Sequence, residues 1–145
     1  MAEFTYNPIQ TVEPNQAVIF NTAIGCPKGY VYHRNESGIV ILRGIVNNPC
    51  GNFARYQVTF NGNIAVPTGG TVGPISVSLA IDGEPILTSR AIVTPAAVEN
   101  YFNVTSTAFI TVPKGCCFNI AVENTSEDSA AINVQNANLV VTRVA

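Results

Sequence analysis

A chain of 145 residues and 15.4 kDa is the size of one domain, and about two thirds of its unfolded surface is buried on folding, so neither a metal nor disulfides are needed to hold it together. Only 11% of the residues are charged and the formal charge is −2 with no basic block, which excludes a surface that neutralises several phosphates and with it a nucleic-acid partner. No run reaches the roughly 18 apolar residues of a membrane helix, and Met1 leads into Glu3, Asn7 and Glu13 rather than into a basic segment and an apolar core, so neither a membrane role nor a classical secretory leader is expected.

Val and Ile together number 32 against 4 Leu, and Thr adds 13. Branched side chains of this kind are stiff and pack well on a pleated surface, so the chain is all-β. The 16 Asn, 11 Gly and 9 Pro fall between apolar segments and read as turns and bulges.

In chain order, residues 1–15 show little periodicity and are expected to form an N-terminal arm or loosely attached edge, leaving 16–145 as a single domain. Strands are expected at Gln16 to Ile24 and Tyr30 to His33, with a turn at Asn35 to Gly38. The run GIVILRGIV that follows reads as a strand covered on both sides. Arg55 to Phe60 alternates, and NGN at Asn61 to Asn63 is either a tight turn or a bulge in a longer strand. After a Gly/Pro-rich break, Ile75, Val77, Leu79 and Ile81 share one face and Ser76, Ser78 and Ala80 the other, with a hairpin at Asp82-Gly83. Tyr101 to Val112 alternates again, with Asn103, Thr105 and Thr107 in the outward phase, and PKG at Pro113 to Gly115 turns the chain. The last strand starts at Ile132 and slips phase at Asn136 to Asn138, which predicts a bulge. These eight to ten short strands make an antiparallel β-sandwich, with a closed barrel as the competitor. Zero Trp counts against an immunoglobulin-like sandwich. The small neutral faces at Ser76, Ser78, Ala80, Asn103, Thr105 and Thr107 suit close approach by a neighbour, because no charge has to be desolvated.

Catalytic chemistry has little to work with. His33 is the single histidine and reads as a surface, sheet-edge or subunit-contact residue, and no GxSxG, HExxH or phosphate-cradling glycine motif occurs. Asp82/Glu84 and Glu123/Glu127/Asp128 group carboxylates in turns, without the ordered spacing of a calcium loop. No CxxC pair exists among Cys26, Cys50, Cys116 and Cys117, which argues against a zinc site. Cys116 and Cys117 are expected not to bridge each other, while a Cys26–Cys50 disulfide stays open. Catalytic, cofactor and metal residues are therefore none, and the chain is expected not to be an enzyme. Tyr30, Tyr32, Phe53, Tyr56 and Tyr101 are the aromatic candidates for a sugar platform, or else fill cores and seams.

The segments GIVILRGI, VTFNGNIAVPTGGTVGPISVSLAIDGEPI, FNVTSTAFITVPKGCCFNIAVEN and INVQNANLVVTRVA resemble, in order and pattern, the tumour-necrosis-factor-like jelly roll, in particular the heads of bacterial collagen-like spore-surface proteins and the decoration or fibre-head domains of tailed bacteriophages. The resemblance implies a jelly-roll sandwich and a closed homotrimer whose final strand, of the form ANLxVxR, lies in the subunit contact. The matching positions are Ala137, Asn138, Leu139, Val141 and Arg143, and Arg143 would pair with a carboxylate or carbonyls of a neighbour. No collagen repeat precedes the head, so the resemblance points to a structural protein on a virion surface, assembled in the host cytoplasm and joined to a capsid or fibre protein through the N-terminal arm. The alternatives are a bacterial spore or cell-surface head and an adhesive module for a host-surface glycan or receptor.

Overall fold

Alternation of branched and small side chains makes twelve strands and one 3₁₀ turn (Leu87–Ser89) among the residues described by a computed structural model, which are 1–24, 29–34, 36–127 and 130–145. One sheet holds β1 (Ala2–Tyr6), β2 (Gln10–Val12), β3 (Thr22–Ile24), β6 (Phe53–Ala65), β10 (Phe102–Pro113) and β12 (Ile132–Arg143), in the order β10-β6-β12-β1-β3 with β2 beside β12. The second holds β4 (Val31–His33), β5 (Val40–Arg43), β7 (Ile75–Ile81), β8 (Glu84–Pro85), β9 (Ala91–Val93) and β11 (Cys117–Asn124), in the order β4-β5-β11-β7-β8 with β9 beside β7. Every pairing is antiparallel. The long strands change sheet from one to the next, β6 to β7 and β10 to β11 to β12, and this winding closes the two layers into the expected jelly-roll sandwich.

The inner faces follow from the period of two. Phe4, Tyr56, Val58, Phe60, Leu139 and Val141 of the first sheet meet Val40, Leu42, Val77, Leu79, Ile120 and Val122 of the second, all buried. Each such aliphatic or aromatic side chain contributes about 1.5–3 kcal/mol by leaving water. The Asp82-Gly83 hairpin forms with both residues at positive φ (50° and 86°), the conformation that Asp-Gly tolerates best. The phase slip in β12 is a bulge: its register against β6 shifts between Gln135 and Asn138, and Asn136 sits at φ 57°.

Other expectations are corrected. The first dozen residues are not an arm, because β1 lies between β12 and β3 and buries Ala2 and Phe4, while Val12 of β2 is also in the core. The period A-F-Y was present in Ala2, Phe4 and Tyr6, but its partner strand lies some 130 positions away. Gln16 to Ile24 is regular only over Thr22–Ile24; Ala17 and Phe20 make single bridges to Glu123 and Ser37. GIVILRGIV shortens to β5, whose Ile41 is half-exposed, so it is covered on one side. NGN is neither a turn nor a bulge: β6 runs straight through it in unbroken register with β10. Ser76, Ser78 and Ala80 face no neighbour, being buried by their own chain. The Thr125 hydroxyl lies 2.9 Å from both serine hydroxyls, and Arg90 Nε donates to Ser76 Oγ at 3.0 Å. Cys116 and Cys117 are exposed and do not bridge each other. The expectations at Cys26, at the turn beginning with Asn35 and at Asp128 lie outside the described residues.

Candidate subunit interface

The outer face of the first sheet is where the remaining neutral residues collect. Strand register sets them in rows: Asn103, Asn63 and Gln135; then Thr105, Asn61, Asn138, Thr5 and Thr22; then Thr107, Thr59, Val140, Glu3 and Ile24; then Phe109, Gln57 and Thr142. Their inner-phase neighbours are in the core, so these side chains point away from it. Asn103 Nδ2 donates to Asn61 Oδ1 (2.9 Å) and Asn63 Oδ1 (3.2 Å), Asn63 Nδ2 to Asn136 Oδ1 (3.1 Å), and the Thr107 hydroxyl to Thr59 Oγ1 (3.3 Å). A lattice that already satisfies part of its own hydrogen-bonding capacity costs less to cover than an open polar face. Glu3 and Arg55 are the charged residues in these rows and the adjoining one; Glu3 accepts from Asn138 Nδ2, and the Arg55 guanidinium lies 4.9 Å from the Phe109 ring centre. Phe109, Ile24 and Phe53 add exposed apolar area to the face or its rim.

Of the five residues expected at the subunit contact, Ala137, Leu139 and Val141 are buried inside their own sandwich. The bulge decides this, since it moves the odd-numbered residues of β12 onto the inner face after Asn136. Asn138 does face outward. Arg143 is held by its own chain: its guanidinium lies 4.5 Å from the Tyr30 ring centre, Nε donates to the Ala145 carbonyl at 3.0 Å, and Nη1 is buried without an acceptor among the described residues. Sequence reasoning missed Thr59, Asn61, Asn63, Val140 and Thr142. Arg55, Gln57, Thr59, Asn61 and Asn63 form an unbroken period-two series of non-aliphatic residues, a signal that was hidden by reading NGN as a turn.

Of the aromatic candidates, Tyr30 and Phe53 line one pocket together with Arg143, the Tyr56 hydroxyl donates to the Tyr30 carbonyl at 3.3 Å, and Tyr32 and Tyr101 are not among the residues lining that pocket. Tyr56 is buried and donates to the Arg43 carbonyl at 2.6 Å; its burial pushes the phenol up despite the nearby Arg143 charge. Tyr32 is exposed on edge strand β4, and Tyr101 lies by Glu99, to which its hydroxyl donates at 3.2 Å. Glu99 also accepts the Thr68 hydroxyl and N–H (both 3.0 Å) and Asn133 Nδ2 (3.1 Å), and these donors, Thr68 first, hold its carboxyl below the usual range. His33 sits in edge strand β4, its Nε2 2.9 Å from the Ser37 carbonyl oxygen and its ring 4.9 Å from that of Phe4.

Glu123 is the outlier in the second sheet. It faces outward between Ala17 and Ser78, is only 9% exposed, and has no ion-pair partner among the described residues. Burial, with repulsion from Glu84 added, pushes its carboxyl above the usual range. The folded state therefore holds this proton more tightly than the unfolded chain does. Stability is fullest below the unfolded carboxylate pKa and falls as pH rises through the folded one. Glu123→Gln is expected to gain about 1–2 kcal/mol over the parent at pH 7 and to lose that gain near pH 4, where both states are protonated. Urea melts at the two pH values check this, and an equal difference at both would refute it.

No protein-family model and no curated protein sequence matches this chain. Among solved structures it is similar to the globular domain of zebrafish complement 1qA protein, with 13% identity, 96% of this chain and 94% of that chain covered, and a TM-score of 0.52. It is also similar to the Eiger TNF of S. frugiperda, with 12% identity, 100% and 92% covered, and a TM-score of 0.65. Identities this low speak to the fold alone, and the fold is the TNF-like and C1q-like jelly roll.

Proposed function

We propose that the chain is a non-enzymatic structural head that assembles as a closed homotrimer through the outer face of the β10-β6-β12-β1-β3 sheet, and that it decorates a virion surface as a bacteriophage capsid or fibre head. The observation that carries this reading is that face itself: a wide sheet surface of Asn, Thr and Gln with exposed Phe109 and Ile24 and almost no charge. Such a surface is removed from water at low desolvation cost, and closed symmetry is how a soluble chain covers it without polymerising. Three-fold closure and the virion setting come from the resemblance of the last strand and of the segment order to phage and spore-surface heads. Attachment through an N-terminal arm is not part of the proposal, because β1 and β2 are built into the sheet. Multi-angle light scattering at micromolar concentration is expected to give three times 15.4 kDa. A mass of one or two subunits would overturn the trimer, and absence of the chain from purified particles of the phage that encodes it would overturn the setting.

A further inference from the structure

The segment between β5 and β6 borders a pocket of about 470 Å³ whose lining includes Tyr30, Asn47, Asn52, Phe53 and Arg143. Arg143 is the one charged side chain in that lining among the described residues. Its guanidinium is held in place yet left unsatisfied. It lies 4.5 Å from the Tyr30 ring centre, and Nε donates to the Ala145 carbonyl at 3.0 Å. Nη1 is buried with no acceptor, the one buried side-chain nitrogen or oxygen in that state among the described residues. No carboxylate pairs with Arg143 among those residues either. The neighbouring Tyr56 hydroxyl supplies no counter-charge, because it donates to the Arg43 and Tyr30 carbonyls and burial favours its neutral form. A cation without acceptor or counter-charge is costly to bury, and an anion brought from outside supplies both.

The rim beside it is braced. In the turn before β6, Asn48 Oδ1 accepts the Cys50 N–H and the Asn48 carbonyl accepts the Gly51 N–H, both at 3.0 Å, while the Asn52 carbonyl accepts the Lys114 N–H at 2.9 Å. Gly51 is packed so closely on Val46 that an added Cβ would stand 2.4 Å from Val46 Cγ1. Phe53 leaves this turn with its side chain 47% exposed, and Asn47 and Asn52 are exposed at the same pocket.

We infer that this pocket binds a carboxylate-bearing sugar, such as a uronic acid unit of a glycan, with its carboxylate on the Arg143 guanidinium, its C–H face on the Phe53 ring and its hydroxyls on the amides of Asn47 and Asn52. A planar guanidinium matches a carboxylate in shape as well as charge. Side-chain amides both donate and accept, which suits a ring of hydroxyls. A ligand with several phosphates would need further cations, and no other lines the pocket among the described residues. Every residue invoked comes from one chain, so the inference does not rest on the trimer.

Saturation-transfer NMR of the intact protein at low salt and pH 7 is expected to show saturable binding of methyl glucuronide. The neutral methyl glucoside should bind about tenfold more weakly for want of the charge, and acetate, a carboxylate without the ring, about fivefold more weakly. Arg143→Gln should abolish the preference for the glucuronide over the glucoside. Phe53→Ala removes an exposed ring and leaves the core intact, so it keeps the test standing where Arg143→Gln impairs folding. It should weaken the glucuronide about fivefold and leave acetate unchanged. No saturable binding at millimolar glucuronide, or equal binding of glucoside and glucuronide, would overturn the inference. Acetate binding as tightly as the glucuronide, with no effect of Phe53→Ala, would mean an adventitious ion only and overturn it as well. So would a lower subunit number for Arg143→Gln with its β spectrum kept, which would assign the unpaired N–H to a neighbouring chain.

Discussion

Val140→Glu is expected to leave a folded monomer where the parent assembles. Val140 stands in the middle of the outer face, half-buried, with Thr59 on one side and Glu3 on the other. In a single chain the new carboxylate reaches water, and its cost is limited to a like-charge cross-strand contact with Glu3, below about 1 kcal/mol. At a covered subunit seam the same carboxylate is buried without a partner, which costs about 3–5 kcal/mol per contact, enough to dissolve a micromolar assembly. Light scattering should fall from three subunits to one while circular dichroism keeps its β spectrum. A trimer that survives the substitution would move the interface elsewhere.

Phe60→Ala is expected to cost about 3–5 kcal/mol, a large part of the 5–15 kcal/mol that holds a typical domain together. Phe60 is fully buried in β6, and its ring folds over the inner face at Gly62: a Cβ added at Gly62 would stand 2.8 Å from the Phe60 Cζ atom. Truncating the ring opens a cavity in the middle of the most extended strand pairings, with β10 on one side and β12 on the other, where neighbours are held on both edges and collapse least. Gly62→Ala should act in the opposite sense, by overpacking, at about 1–3 kcal/mol. Urea unfolding in the Val140→Glu background measures both without subunit concentration entering the equilibrium. A loss under about 1 kcal/mol for Phe60→Ala would mean that the ring is not a packing element.

The pair Phe60 and Gly62 also shows where local reading stops. Asn61-Gly62-Asn63 carries every local mark of a turn, yet the glycine is there because a ring from two residues earlier needs its space, and the flanking asparagines are outer-face residues of one continuous strand. Likewise Ala137, Leu139 and Val141 match a family contact strand by pattern, but which face they occupy depends on a single extra residue at the bulge. Asn103, Thr105 and Thr107 were legible as outward and remain so, because none of the other described residues folds over them. Ser76 and Ser78 gave the same signal and are covered by Thr125.

From sequence alone came the properties that depend on composition and on neighbours two residues apart: an all-β chain, most strand positions, the Asp82-Gly83 hairpin, the β12 bulge, and a shortage of charge that leaves neutral faces to be covered. Side-chain alternation and turn stereochemistry are local, so one dimension suffices for them. Only the tertiary structure decided which neutral face is open, that β1 belongs to the sheet, that Glu123 is buried, and that Arg143 rests on Tyr30 in a pocket shared with Phe53. Those outcomes depend on strands separated by tens of residues and on which loop lies over which sheet, and side-chain period carries no information about either.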